Sequence, residues 1–187
     1  MNKIKTFSSP IIGVHNSSFG KVVICDRKMI YMMKINGENI EEERKWGFGV
    51  KINSFSSLES DATVSVSISL SNGSVIMFQI TEKSYEIFQF YVFRDYCQQT
   101  TMINLNSFIS YGDGNLINIM SVRGVSYDKW RCESVIERIE VEDRYILVYG
   151  IDNHCYKYKI NNDIEIMKST SLFEKYLVSS DSLFIKE

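Results

Sequence analysis

The chain has 187 residues, 44% of them hydrophobic and 24% charged, which suffices for an ordinary core and excludes a chain disordered by composition. Twenty-one basic against 23 acidic residues leave a net charge of −2, which excludes a generally basic nucleic-acid binder. No apolar run approaches the ~20 residues of a membrane-spanning helix, so one β-rich domain over residues 1–187 is expected, with no membrane partner.

The N-terminus carries Lys3 and Lys5 but no apolar stretch behind them, so a secretory signal is not expected and the predicted location is cytoplasmic. A first hairpin is predicted from residues 22–25 and 29–35 around the turn Asp26-Arg27-Lys28. Glu41, Glu42 and Glu43 follow on a predicted strand over residues 39–46 and read as a solvated face. After a strand at residues 50–55, a second hairpin pairs residues 66–69 with 74–80 around Ser71-Asn72-Gly73. Residues 65–71 alternate almost strictly between apolar and polar, the pattern of a half-buried strand. A strand over residues 85–92 precedes the third hairpin, residues 108–111 and 116–122 around Gly112-Asp113-Gly114.

Residues 135–141 form another predicted strand, and the fourth hairpin pairs residues 145–149 with 154–160 around Asp152-Asn153. Residues 164–168 read as a strand. Residues 170–176 read as a short helix, with Thr170 or Ser171 as N-cap and Glu174 near the capping-box position. A shortened fifth copy of the hairpin is expected at residues 176–185. The cysteines Cys25, Cys97, Cys132 and Cys155 share no C-x-x-C spacing and read as buried free thiols. With only His15 and His154 as histidines, no metal or other cofactor is predicted.

Aligning Ile35, Ile80, Val122 and Ile160 gives steps of 45, 42 and 38 residues, so the hairpins form a degenerate repeat. Four short strands every ~40–45 residues are the sequence signature of a propeller blade. In repeat length and in this rhythm of turn and strand, residues 11–187 resemble the WD40-like β-propeller superfamily. Its hallmark dipeptides are missing: no Gly-His precedes a blade, Trp46 is followed by Gly47, and Trp130 by Arg131. The resemblance implies an all-β, small or incomplete propeller-like array of four to five blades. A β-sandwich or barrel is the alternative. The ring could close on itself, with residues 11–14 completing the last blade, or stay open and be completed by a partner.

Gly-x-Ser-x-Gly, a P-loop, Gly-x-Gly-x-x-Gly and His-Glu-x-x-His are all missing from the chain, so an enzyme is not expected. Arg123, Tyr127, Lys129, Trp130 and Arg131 form the one cluster of binding character, placed on the connection after the third hairpin, where loops are expected. Arg, Trp and Tyr dominate protein-interface hot spots, and cations among flat rings also suit single-stranded RNA. The preferred reading of Trp130 alone is a core residue of the next strand, flanked by solvated cations. The expected function is a non-enzymatic protein-interaction module, an accessory subunit of a larger complex with no small-molecule substrate. A ribosome-associated factor contacting rRNA through Lys129 to Arg131 is the alternative. A second alternative is a WD40-type hydrolase, such as the propeller hydrolase of diphthamide synthesis, similar in residues 69–73 and 110–114.

Overall fold

Short apolar strands separated by turn-forming Asp, Asn and Gly fold into four antiparallel sheets, each a meander in chain order. The structure, a computed structural model, describes Phe7, residues 9–37, 39–143 and 145–160, and the backbone of 174–178 and 184–186. The first sheet holds β1 (Ile11–Asn16), β2 (Lys21–Asp26), β3 (Met29–Asn36) and β4 (Asn39–Gly47). The second holds β5 (Ile52–Ser60), β6 (Thr63–Leu70), β7 (Ser74–Thr81) and β8 (Tyr85–Tyr91). The third holds β9 (Cys97–Asn104), β10 (Ser107–Gly112), β11 (Leu116–Ser121) and β12 (Ser126–Arg131). The fourth holds β13 (Ile136–Glu142), β14 (Tyr145–Gly150), β15 (His154–Lys159), β16 (Glu174–Val178) and β17 (Phe184–Lys186). This is a β-propeller-like array of four blades, not a sandwich or a barrel.

The predicted hairpins are present as β2–β3, β6–β7, β10–β11 and β14–β15. Their turns use the residues that tolerate positive φ: Gly73 at +81°, Asn115 at +62° and Asn153 at +62°. Gly73 has a second reason to be glycine, because a Cβ there would run into the carbonyl of Phe93. In the first blade Asp26 takes over, its Oδ1 accepting from the amides of Lys28 (2.7 Å) and Met29 (2.8 Å).

Two expectations at the ends of the chain are corrected. Residues 11–14 do not complete the last blade; they belong to β1, which pairs with β2. The hairpin at residues 176–185 exists as β16–β17, but β16 pairs with β15, so it widens the fourth blade and starts no fifth. Of the predicted helix at residues 170–176, residues 174–176 lie in β16, and 170–173 fall outside the described residues. The predicted strand at 164–168 falls outside them as well.

Within each blade the first strand is innermost. β1 touches β5, β5 touches β9, and β9 touches β13, while the outer strands β4, β8 and β12 are largely exposed. Apolar side chains fill the seams between blades. Val23, Cys25, Ile30 and Met32 of the first blade meet Val64, Val66, Ile68, Leu70 and Phe78 of the second. Val75, Met77 and Phe90 meet Met102, Phe108 and Met120 across the next seam. Ile109, Ile117 and Ile119 then meet Ile139, Ile146, Val148 and Tyr156. Burial of such side chains from water is the main stabilising term. All four cysteines are free and buried. Desolvation, with the neighbouring Asp26 charge, pushes the Cys25 thiol up to about 12, so it stays protonated and inert at neutral pH.

The serines of β6 correct the sequence reading of a half-buried strand. Ser65, Ser67 and Ser69 are fully buried, and they face the third blade instead of water. Ser65 Oγ donates to the Leu105 carbonyl at 2.9 Å, Ser69 Oγ donates to the Gln98 carbonyl at 3.2 Å, and Thr100 Oγ1 donates to Ser67 Oγ at 3.4 Å. Alternation along β6 therefore separates an apolar seam from a hydrogen-bonded one, since a buried hydroxyl must find a partner.

Candidate binding surfaces

The meander places equivalent parts of every blade on the same rim. On the first rim lie the turns between second and third strands and the connectors to the next blade; on the second rim lie the remaining turns. Backbone bonds weld the first rim together: Ile52 N–H donates to Arg27 (3.0 Å), Ser71 to Lys51 (2.9 Å), Asp113 to Tyr96 (3.3 Å) and Ile151 to Val135 (3.0 Å). Side chains presented there are held on a rigid base, as a binding surface requires.

The cluster singled out in the sequence is divided by its own strand. Residues 126–131 form β12, the outer strand of the third blade, and not the expected loop; Arg123 alone lies in a turn, on the second rim. Trp130 pairs with Ile117, and its ring packs against Tyr158 of the fourth blade with centroids 5.1 Å apart. Lys129 and Arg131 alternate with it and so point to the opposite face. Arg131 Nη1 is committed to the Gly114 carbonyl at 2.6 Å. Trp130 is a seam residue, so its ring is turned away from these cations. Tyr127, Lys129 and Arg131 remain exposed.

His154 and Cys155 point to opposite faces as their adjacency predicts: Cys155 is buried, while His154 Nδ1 lies 3.1 Å from Asp152 Oδ2. His15 has a place the sequence did not reveal. Its Nδ1 lies 3.0 Å from Ser57 Oγ and its Nε2 3.1 Å from Glu59 Oε2, joining β1 to β5 near the second rim. Glu59 also accepts from the amide of Ser18 at 2.9 Å and from the Ser18 hydroxyl. Those two Ser18 bonds, ahead of His15, hold the Glu59 carboxyl below its ordinary value of 4.5. A carboxyl lowered on folding stabilises the fold above its unfolded pKa and loses that contribution as pH falls through the folded one. Urea titrations of the native sequence and Glu59→Gln should thus differ by a constant amount at neutral pH and converge as the pH drops below 4.5. A gap that ignores pH would show that Glu59 acts through packing alone.

Two stretches of the first rim have binding character. Between the first and second blades, Ser9, Arg27, Lys28, Gly49, Val50 and Lys51 line a cavity of about 540 Å³. Among the described residues no carboxylate pairs with Arg27, Lys28 or Lys51, whereas Lys21, Lys45 and Arg138 are paired with Glu43, Glu42 and Glu140. Farther along, the same rim exposes Tyr91 (79%), Tyr96, Val135 and Ile151 (64%) across the second, third and fourth blades. Sequence reasoning missed both, because their members come from different turns and connectors, brought together only when blades stack.

No family model matches the chain, and no curated protein matches it. Solved structures do. Saccharomyces cerevisiae Sqt1 superposes with a TM-score of 0.72 at 14% identity, covering 87% of this chain and 50% of that one. Kluyveromyces lactis Hsv2 gives 0.64 at 11% identity, covering 88% and 53%. BBS1N, solved in complex with ARL6DN, gives 0.62 at 9% identity, covering 83% and 54%. All three are β-propeller proteins, so the likeness shows the fold, and this chain spans about half the length of each.

Proposed function

We propose that the chain is a non-enzymatic protein-docking module, an accessory subunit of a larger assembly that binds through its first rim. The observation that carries this reading is the line of exposed Tyr91, Tyr96, Val135 and Ile151 along one welded rim. Single exposed apolar residues are ordinary on any surface, but several on one rigid ridge form a candidate interface. Tyrosine contributes a large flat contact at small entropic cost, which is why it recurs at interface centres. BBS1N, a propeller of similar fold, was solved with a protein partner, which supports the same use of the architecture here.

Isolation of the native protein from its own cells, with cross-linking mass spectrometry, tests the reading. One stoichiometric partner is expected, with cross-links concentrated on Lys28 and Lys51 at the first rim and sparse at Lys34 and Lys83 on the second. Recovery of a lone monomer at low salt would overturn it.

A further inference from the structure

The cavity between the first two blades deepens that reading. Its three cations come from two places: Arg27 and Lys28 from the β2–β3 turn, and Lys51 from the connector into β5. The bond from Ile52 N–H to the Arg27 carbonyl fixes these segments against each other. Among the described residues no acidic side chain lines the cavity. The nearest carboxylate in sequence, Asp26, is fully buried and occupied by the amides of Lys28 and Met29 and, at 3.4 Å, by the Tyr31 hydroxyl. Among the described residues the cations of the pocket thus have no carboxylate partner, in a protein whose net charge is −2. Ser9 Oγ lines the same cavity, buried and without a hydrogen-bond partner.

We infer that this cavity receives an extended acidic segment of the partner protein. The inference rests on the docking reading above and adds the chemistry of the partner. The cations come from two separate segments around a cavity of about 540 Å³, room for carboxylates at successive positions of a chain. Val50 and the aliphatic stems of the cations offer apolar contact between those charges. The pocket and the exposed tyrosine and aliphatic ridge lie on the same rim, so one partner can engage both charged and apolar ground.

The test uses a fluorescein-labelled decapeptide alternating Glu with Leu, followed by anisotropy on the whole chain. Binding should be saturable and weaken with added salt, because the contributing charges are exposed. Arg27→Glu with Lys51→Glu should weaken it by about tenfold or more, since each exchange replaces attraction by repulsion at an exposed site. Lys28→Glu alone should show a smaller loss in the same direction and serves if the double variant does not fold. Lys83→Glu, on the second rim, should leave binding unchanged.

Equal affinity of native protein, double variant and Lys28→Glu would overturn the proposal. So would displacement of the peptide by micromolar pyrophosphate, which would assign the pocket to a phosphoryl ligand. The same double variant in the cross-linking experiment separates the two readings. A partner retained undiminished rejects the acidic-segment pocket and leaves rim docking standing; no partner with the native sequence rejects rim docking itself.

Discussion

Replacing Phe78 with alanine should cost about 3–5 kcal/mol, a large part of the 5–15 kcal/mol by which a typical domain is stable. Phe78 is fully buried on β7, facing the first blade. Its ring lies 5.1 Å from that of Trp46 on β4 and 6.4 Å from that of Phe48 in the connector, and Trp46 reaches on to Tyr85 at 5.2 Å. One side chain therefore holds the outer strand of the first blade, the crossing to the second and the second blade itself. Truncation loses the transfer energy of the ring and leaves a cavity that strands fixed on both sides cannot close. The midpoint of urea unfolding reads the effect, and Phe78→Leu, losing about 1–2 kcal/mol, keeps the comparison measurable if the alanine variant does not fold. A loss below about 1 kcal/mol for alanine would show that the first seam is not the core described above.

Gln99→Leu should cost about 2–4 kcal/mol and loosen the fourth blade in particular. The Gln99 carboxamide donates from Nε2 to the Ile139 carbonyl at 2.8 Å and accepts at Oε1 from the Ile139 amide at 3.0 Å. A side chain of β9 thus does for β13 what a neighbouring strand would do, satisfying both groups of a buried residue on the edge that β14 does not cover. Leucine matches the volume but leaves the amide and carbonyl of Ile139 without partners. Hydrogen exchange should accelerate across β13 well before it changes in β6 and β7. Uniform acceleration, or none, would mean that the fourth blade does not depend on this bridge.

The same device links β5 to β9. Ser54 and Ser56 hydroxyls accept from the amides of Thr100 (2.9 Å) and Met102 (3.0 Å), and Asn53 Nδ2 donates to the Cys97 carbonyl at 2.8 Å. This explains why the hairpins were legible in the sequence while β9 was not. A hairpin declares itself locally, through apolar alternation and a turn residue such as Gly73, Gly114 or Asn153. The stretch Cys97–Asn104 reads Cys-Gln-Gln-Thr-Thr-Met-Ile-Asn, polar enough to pass for a loop. Its polar side chains are those of an inner strand whose neighbours are backbone edges, so amide and hydroxyl groups replace aliphatic ones. The outer strand β12 was hidden for the opposite reason, because solvent on much of its surface permits charge.

The repeat length, the hairpin registers and the all-β character follow from residues close together in the chain, where the two-residue period of a strand and the φ demand of a turn leave few alternatives. Stacking of blades decided the rest. It buried Ser65, Ser67 and Ser69, which alternation alone would turn to water. It turned Trp130 into a seam against Tyr158 and parted it from Lys129 and Arg131, since neighbours in a strand face opposite ways. It brought Arg27 and Lys28 beside Lys51, and His15 beside Glu59, across separations with no periodic trace. Contacts between blades join residues about one repeat apart, and a sequence records such a contact only as two unremarked side chains.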